Sequence, residues 1–330
     1  MPDFLQSGPV LTLPLLHAAD SAGMERDLAA WTADRPLALA LPCHVRDFHS
    51  KAMRGILDKL AGIPWVQRAV IGLDGATMEE ATIARELITD PRFTLLHRTG
   101  APGKGANLRD CLGALQQYSL FAVAMHDCDI RHYSREFLAR LCWPVLHPEA
   151  GLHACKGYYA RTATGLHGRV FRLFLQPLLR ACTEHLPAHP WLQFLTSLRY
   201  PLSGELCVRI DVLPKLPLPD GWDVELALLS SLHRQQVPMC QSELCAAYDH
   251  KHQEPAALAE MAAVLFRRLI HTLHEHGVHS GDLSAPLLSS ARHHAEQATH
   301  GSSLMAAMNG LRHDAQAERL LAAALMEKLN

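Results

Sequence analysis

Two acidic residues, one residue apart, follow a short apolar run near the middle of the chain. Residues 121–125 are apolar, and Asp127 and Asp129 follow them after His126. Short apolar runs bounded by polar residues are typical of buried strands, whose carboxyl ends form the ligand-binding edge of open α/β sheets. Carboxylate oxygens are the ligands that Mg²⁺ and Mn²⁺ prefer, and these ions bridge diphosphates. The pattern therefore predicts a divalent-cation site, although an isolated Asp-X-Asp also occurs by chance.

Strands and helices alternate through the first half of the chain. Apolar runs predict strands at residues 37–41, 66–73, 93–97, 121–125 and 153–159, with helices at 45–60, 77–88, 104–118 and 134–146. This alternation is typical of βαβ units that build a mostly parallel sheet. We therefore expect an α/β fold in which functional side chains follow the strands.

The second half of the chain has a different pattern. We predict helices at residues 170–182, 224–234 and 255–276, a strand at 237–244 and a Pro-rich connector at 211–220. Residues from 285 onward are rich in Ala, Leu and Met and predict one or two terminal helices. The chain should therefore end in a helical region.

Composition excludes several classes of protein. The 330 residues carry a formal net charge of -2, so nothing indicates nucleic-acid binding. The apolar patch near the N-terminus lacks a basic start and is interrupted by Pro9 and Pro14, which argues against a signal peptide or a membrane span. Nine cysteines without a C-x-x-C pair indicate reduced thiols. We expect a cytoplasmic protein.

Two further candidates lie where predicted strands end. Lys104 stands between Gly103 and Gly105, which permit a tight turn, so its ammonium could pair with a phosphate near a helix N-terminus. The alternative is an ordinary glycine turn with a solvated lysine. Asp74 ends the second predicted strand and could accept a hydrogen bond from a nucleotide base or ribose, or could be a plain turn residue.

Two more candidates lie in the second half. Glu205 follows Gly204 in a turn and could present its carboxylate to a polyhydroxylated ligand, or could be an ordinary loop acid. His250 could complete the metal site that Asp129 starts, because neutral imidazole is a common metal ligand. The alternative for His250 and His252 is a surface loop.

Taken in chain order, these motifs resemble those of the glucosyl-3-phosphoglycerate synthases, which are retaining sugar-nucleotide transferases of the GT-A fold. The resemblance spans about residues 36 to 280. Its motifs are Gly103-Lys104-Gly105-Ala106, Asp127-Cys128-Asp129, Lys156-Gly157-Tyr158-Tyr159, Gly168-Arg169-Val170, Pro201-Leu202-Ser203-Gly204-Glu205, Gly221-Trp222-Asp223-Val224-Glu225 and His250.

The resemblance implies a GT-A-like α/β fold and a metal-dependent retaining glycosyltransferase. Such an enzyme moves a hexose, glucose in this family, from a nucleoside-diphosphate sugar such as UDP-glucose to a small anionic acceptor such as 3-phosphoglycerate, with Mg²⁺ or Mn²⁺. It also implies a possible homodimer. The chain then divides into an N-terminal extension (1–35), a nucleotide-sugar-binding half (36–165), an acceptor-binding half (166–284) and C-terminal helices (285–330).

The resemblance also assigns roles to individual residues. The catalytic residues would be Asp127, Asp129 and Glu205, and the metal ligands Asp129 and His250. The donor would be bound by Pro42, Asp74, Lys104, Gly105, Asp127, Cys128 and Glu205, and the acceptor by Gly168, Arg169, Val170 and His252. Arg169 could offer its forked guanidinium to a carboxylate or phosphate, or could pair with a nearby acid at a helix start.

Three departures from the family pattern leave the base and the acceptor open. Residues 42–47 read Pro-Cys-His-Val-Arg-Asp where the family has Pro-x-x-Asn-Glu-Glu, Phe171 replaces a threonine, and His252 replaces an asparagine. A mannosyl- or other hexosyltransferase and a non-catalytic sugar-nucleotide-binding homologue are therefore alternatives. A nucleotidyltransferase is disfavoured, because residues 41–49 contain no glycine for a phosphate loop.

Overall fold

The structure is a computed structural model that describes residues 9–162, 165–246, 248–249, 253–278, 284–308, 311 and 313–329. The chain forms two compact units. The first, here called the sheet unit, comprises Leu11–Tyr159 and Ser203–His250. The second, here called the helical unit, comprises Met1–Val10, Ala160–Leu202 and Lys251–Asn330.

An eight-stranded sheet forms the centre of the sheet unit. Its strands are β1 (Leu11–Leu13), β2 (Leu37–His44), β3 (Arg68–Asp74), β4 (Phe93–His97), β5 (Ala122–Met125), β6 (Ala154–Tyr159), β7 (Leu206–Arg209) and β8 (Met239–Cys245). They lie in the order β1-β8-β6-β7-β5-β2-β3-β4. Within the described residues, β7 alone runs antiparallel, pairing with β5 on one side and β6 on the other. The expected mostly parallel sheet is confirmed.

Helices flank the sheet and make up the helical unit. They are α1 (Ser21–Trp31), α2 (Val45–Phe48), α3 (Lys51–Ala61), α4 (Met78–Glu86), α5 (Lys104–Leu115), α6 (Arg135–Leu146), α7 (Gln176–His185), α8 (Pro190–Ser197), α9 (Val224–Arg234), α10 (Pro255–Glu275), α11 (Ala285–Met308) and α12 (Ala315–Met326). Short 3₁₀ turns lie at Leu213–Lys215 and Glu327–Leu329, and a π-helical turn at Phe171–Leu175 leads into α7. The predicted helical C-terminal region is confirmed.

The central strands are buried on both faces. Residues 37–41 of β2 and residues 122–124 of β5 have no exposed surface. Strands covered on both sides by helices read as continuous apolar runs, which is why these strands could be predicted from the sequence. Burial of one such leucine side chain contributes about 1.5–3 kcal/mol.

Two local features differ from the sequence prediction. The helix expected at residues 45–60 is two helices, because the Ser50 side chain accepts a hydrogen bond from the Met53 N–H at 3.1 Å and starts α3. Residues 1–35, expected only as an extension, contain α1 and the three-residue strand β1, which pairs parallel with β8. A strand this short gives no periodic signal. The division of the chain into four parts stays a prediction.

No helix in the described part of the chain is both long and apolar enough to cross a membrane.

Candidate active site

The sheet topology brings Asp127 and Gly204 together. Asp127 follows β5, and Gly204 lies two residues before the start of β7. These strands are antiparallel neighbours in which Met125 stands opposite Leu206. A Cβ atom added to Gly204 would lie 2.6 Å from Asp127 Oδ1, so a larger residue at this position would require the carboxylate to move.

The ammonium group of Lys104 lies between two carboxylates. Lys104 Nζ is 2.8 Å from Asp127 Oδ1 and 2.7 Å from Glu225 Oε1, and all three side chains are at least partly buried. Burial disfavours the charged amine, but Asp127 and Glu225 outweigh this effect and hold the pKa of Lys104 well above its usual value. The cluster therefore holds a protonated lysine against two acids.

The start of α5 packs closely against the connector before α9. The N–H groups of Gly105 and Ala106 donate to the carbonyl oxygen of Asp220 at 3.0 and 3.2 Å. A Cβ atom on Gly105 would lie 1.7 Å from the carbonyl oxygen of Pro219. In this structure Gly105 thus serves a close approach of two backbones, and its N–H group is engaged by protein.

A pocket surrounds the Lys104 cluster. Its polar or small lining residues are Pro42, Lys104, Asp127, Lys156, Gly204 and Glu225, and its apolar ones are Leu108, Met125, Leu206, Val224, Leu228 and Leu229. The pocket therefore combines apolar walls with charged groups of both signs. The indole of Trp222, 47% exposed, lies with its ring centroid 5.7 Å from Lys104 Nζ.

Glu205 is completely buried and held by two tyrosines. Its Oε2 accepts from the Tyr159 hydroxyl at 2.8 Å, and its Oε1 accepts from the Tyr248 hydroxyl at 3.2 Å. The two rings stack with centroids 3.6 Å apart and planes 5° from parallel. Burial raises the pKa of Glu205 to about 7, and the nearby Asp127 carboxylate adds to the rise.

Lys156 is a second buried amine of the pocket. Its ammonium donates to the Ser203 carbonyl, and the Ser203 hydroxyl donates to the Gly157 carbonyl at 2.6 Å. Burial lowers the pKa of Lys156 to about 8, although Glu225 and Glu205 oppose this shift. Lys156 thus ties the turn that carries Gly204 and Glu205 to β6.

Asp74 has structural partners. Asp74 Oδ1 lies 2.8 Å from Arg98 Nη1, and Asp74 Oδ2 accepts from the Gly103 N–H at 2.9 Å. Arg98 also bonds Asp110 through Nε at 2.6 Å. The carboxylate of Asp74 therefore orients the turn that precedes α5, and its predicted contact with the donor stays a prediction.

Cys128 turns its side chain into the protein. Its thiol is buried beside that of Cys43, and this contact, together with burial, raises the pKa of Cys128 well above its usual value. A donor contact by Cys128 would therefore have to use its backbone. All nine cysteines are free thiols, and eight of them are buried.

The predicted metal site is described only in part. Asp127 and Asp129 are half-buried on either side of the buried Cys128, so both carboxylates lie at the carboxyl end of β5 as expected. His250 and His252 lie outside the described residues. Within those residues no group of three or more His, Cys, Asp or Glu side chains is placed to hold a metal ion. The carboxylate oxygens of Asp127 and Asp129 nevertheless fit Mg²⁺ or Mn²⁺ by their chemistry.

The predicted acceptor residues belong to the helical unit. Gly168 is buried with a φ of +71°, a conformation that favours glycine, and Val170 is buried beyond it. Arg169 Nη2 donates to the carbonyl oxygen of Gln253 at 2.8 Å. Burial lowers the pKa of Arg169, and Arg161 and Arg172 lower it further by charge repulsion. Arg169 therefore stands in positive surroundings.

Several residues that contact the Lys104 cluster, Glu205 or Asp74 have no role assigned by the sequence. Lys156 and Glu225 belong to motifs that were recognised, but their contacts with the cluster depend on the fold. Tyr159 also belongs to a recognised motif, whereas Arg98 and Tyr248 give no signal, because a buried tyrosine or arginine has the same appearance in a sequence whatever it contacts.

The chain is similar over most of its length to curated proteins that share one name. The chain is 32% identical to a glucosyl-3-phosphoglycerate synthase of Persephonella marina, over 96% of this chain and 86% of the relative. It is 26% identical to one of Methanococcoides burtonii, over 79% and 74% of the two chains. A search of family models found no match.

Solved structures share the fold. Glucosyl-3-phosphoglycerate synthase of Mycobacterium tuberculosis, in complex with Mn²⁺, uridine diphosphate and phosphoglyceric acid, superposes with a TM-score of 0.63 at 22% identity, covering 82% of this chain and 88% of that one. The same enzyme with Mn²⁺, UDP-glucose and glycerol 3-phosphate gives a TM-score of 0.60 at 23% identity, covering 77% and 84%. The GT-A-like fold is thereby confirmed.

Proposed function

The chain belongs to the glucosyl-3-phosphoglycerate synthase family and is a glycosyltransferase, and from this premise we propose its reaction. It transfers glucose, with retention of anomeric configuration, from UDP-glucose to a small anionic acceptor of the 3-phosphoglycerate type, and it requires Mg²⁺ or Mn²⁺. Relatives named glucosyl-3-phosphoglycerate synthase, and the uridine diphosphate, UDP-glucose and metal in the related structures, support this proposal.

The single observation that carries the proposal is the Lys104 cluster. The Lys104 ammonium has three N–H donors. Among the residues that the structure describes, Asp127 and Glu225 occupy two of these donors. A third donor can therefore reach an oxygen of a diphosphate bound in the same pocket. Pro42 and Gly204 line this pocket and offer close approach to a nucleotide sugar.

The carboxylates of the site have separate proposed roles in binding the metal ion and the donor sugar. Asp129, with His250 as its predicted partner, would hold the metal ion, and Asp127 would hold the ribose or the sugar beside Lys104. When bound, a divalent cation neutralises the charge that develops on the departing diphosphate. Glu205 is predicted to bind sugar hydroxyls. Its carboxylate is fully buried and held by Tyr159 and Tyr248, so such contact requires the residues that cover it to move.

The acceptor would be held by Gly168, Arg169 and Val170 of the helical unit, together with His252. The guanidinium of Arg169 suits a carboxylate or a phosphate, because its N–H groups form a planar fork. The reaction is proposed to need no nucleophile from the protein: the acceptor hydroxyl attacks on the face from which the diphosphate departs, as implied by the family resemblance.

Direct assay tests the proposed function. The protein is incubated with UDP-, GDP- or ADP-glucose, or with the mannose donors, together with 3-phosphoglycerate and Mg²⁺ or Mn²⁺. We expect release of UDP and formation of glucosyl-3-phosphoglycerate, measured by nucleotide chromatography and mass spectrometry. Full activity in excess chelator, or transfer from another sugar nucleotide only, would contradict the proposal.

The metal ligand is tested by substitution. Asp129→Ala should lower kcat by about 10²- to 10³-fold, the loss typical of a removed charge-stabilising group. The affinity for UDP-glucose should change less, because the charge to be stabilised develops mainly in the transition state. Asp34→Ala removes an exposed acid and is the matched control. An active Asp129→Ala enzyme would refute the assignment.

A further inference from the structure

A second guanidinium lies beside Gly168, in addition to that of Arg169. Arg161 Nη1 donates to the hydroxyl oxygen of Tyr200 at 2.7 Å, and the same guanidinium lies 5.8 Å from the centroid of the Tyr200 ring. The carbonyl oxygen of Arg161 accepts from the His167 N–H at 2.9 Å. Arg161 and Tyr200 therefore form a pair whose backbone is tied to the residue directly before Gly168.

The Arg161–Tyr200 pair lies beside Gly168, the residue that precedes Arg169. A Cβ atom added to Gly168 would lie 3.5 Å from Arg161 Cδ and 3.8 Å from the Tyr200 hydroxyl oxygen. Gly168 itself has a φ of +71°, so the chain turns sharply at this point. Arg161, Tyr200 and the Gly168-Arg169 turn thus lie within a few ångströms of one another in the helical unit.

Tyr200 of this pair also supplies a hydroxyl beside Phe171, whose own side chain has none. Phe171, at the start of the π-helical turn, packs edge-on against Tyr200 with ring centroids 5.3 Å apart. A phenol that accepts a hydrogen bond from a guanidinium is polarised and becomes a stronger donor through its own proton. Tyr200 is therefore suited to donate to an oxyanion beside Arg161.

The charges around Arg169 favour an anion. Arg161 and Arg172 both repel its guanidinium, whereas Glu318 and Glu254 attract it. Glu318 is already bound to Arg172 and lies within 2.8 Å of His313. Among the residues that the structure describes, three guanidiniums thus act on this position together with two carboxylates, one of which is engaged by Arg172. A bound oxyanion would relieve the repulsion between the guanidiniums.

We propose that Arg161 and Tyr200, together with Arg169, bind the anionic group of the acceptor and so select a small acid over a neutral sugar. This proposal rests on the proposed function, because it assigns further residues to the acceptor of that reaction. Arg161 and Tyr200 would recognise an oxyanion. In a phosphorylated hydroxy acid this oxyanion is either the phosphate or the carboxylate. The two are distinguished by the choice of probe.

Calorimetric titration provides the test without turnover. 3-Phosphoglycerate, glycerol 3-phosphate and glycerate are titrated into the wild type, Arg161→Gln, Tyr200→Phe and Arg180→Gln, whose arginine is exposed on α7 and pairs with Glu184. Loss of a charge-assisted hydrogen bond weakens binding by about tenfold or more. We therefore expect that loss for 3-phosphoglycerate in Arg161→Gln, a smaller one in Tyr200→Phe, and none in Arg180→Gln.

Glycerol 3-phosphate, which lacks the carboxylate, and glycerate, which lacks the phosphate, identify the group that is bound. If Arg161→Gln weakens glycerol 3-phosphate but not glycerate, the pair binds the phosphate; the reverse assigns the carboxylate. In the transfer assay the KM for the acceptor should rise while the KM for UDP-glucose stays unchanged, and Arg161→Lys should restore part of the affinity.

The outcomes separate this inference from the proposed function. Unchanged affinity for all three acids in Arg161→Gln and Tyr200→Phe, with a lowered melting temperature, would show a structural pair and overturn the inference even if transfer occurs. Weakened binding in these variants, with no transfer by the wild type from any sugar nucleotide, would support the anion site and overturn the proposed function. If Arg161→Gln fails to fold, Tyr200→Phe decides the matter, because it retains the ring packing. A wild type that binds none of the acids overturns both.

Discussion

At the scale of single residues, the pocket is defined by charged groups that are buried or partly buried. Lys104 is stabilised because Asp127 and Glu225 approach it from different elements at less than 3 Å. Breaking a buried pair on one side leaves an uncompensated charge, which costs more than the pair itself contributes. The charged state of Lys104 is therefore maintained by the fold, and it can act on a phosphate without first gaining a proton.

The raised pKa of Glu205 predicts how stability depends on pH. Its folded value of about 7 lies above the ordinary 4.5, so between these pH values the folded state retains a proton that the unfolded state has lost. The free energy of unfolding should therefore fall as pH rises through this window. Glu205→Gln removes the ionisable group and keeps an acceptor for a tyrosine. We expect a higher melting temperature than the wild type at pH 8, with the difference shrinking toward pH 5.

Thermal denaturation at several pH values checks this prediction. Glu86→Gln, which changes an exposed glutamate of α4, is the control and should have no such pH-dependent effect. Lys156 should add a second pH dependence at higher pH. Its pKa is lowered from 10.5 to about 8 in the folded state, so between these values the unfolded state binds a proton that the folded state has lost. The free energy of unfolding should therefore rise with pH in this range. A difference between Glu205→Gln and the wild type that is the same at pH 5 and pH 8 would contradict the burial argument.

At the scale of secondary-structure elements, the close approach of α5 to the connector before α9 positions Lys104. Gly105→Ala would place a Cβ atom 1.7 Å from the Pro219 carbonyl oxygen, so the start of α5 must move. We expect a loss of roughly 1–3 kcal/mol in the free energy of unfolding, as for overpacked sites, and a lowered kcat. Denaturant unfolding and the transfer assay measure the two effects.

A second glycine of the same helix is the matched control. A Cβ atom on Gly113 would meet nothing within 4 Å, and this residue is exposed in α5. Gly113→Ala should therefore stabilise the protein by about 0.5–1 kcal/mol and leave activity unchanged, because alanine is the better helix former. Equal stability of Gly105→Ala and Gly113→Ala would show that the connector does not constrain α5.

At the scale of the whole molecule, the homodimer stays a prediction. The C-terminal helices expose large apolar side chains, including Met308 at 79% and Leu320 at 67%. Exposed apolar area of this kind is common where chains associate. If this surface forms the dimer, Met308→Glu with Leu320→Glu should halve the mass measured by light scattering. Leu87→Glu, an exposed apolar position of the sheet unit, is the control, and a monomeric wild type would remove the prediction.

The sequence by itself determined the parts of this protein that depend on local patterns. Buried strands and amphipathic helices follow from periodicity, so residues 93–97 and 224–234 were predicted with the observed bounds. The Asp-X-Asp, Gly-Lys-Gly and Gly-Arg-Val motifs identified the family because their spacing is local as well.

Only the tertiary structure decided which of these groups contact one another. Lys104 and Glu225 are 121 positions apart, counted from their residue numbers, and meet at 2.7 Å because α5 and α9 begin beside the same end of the sheet. The Tyr159–Tyr248 stack around Glu205 and the Arg161–Tyr200 pair at Gly168 likewise join distant segments. Chain separation carries no information about such contacts, since strand order and register, not local pattern, bring the side chains together.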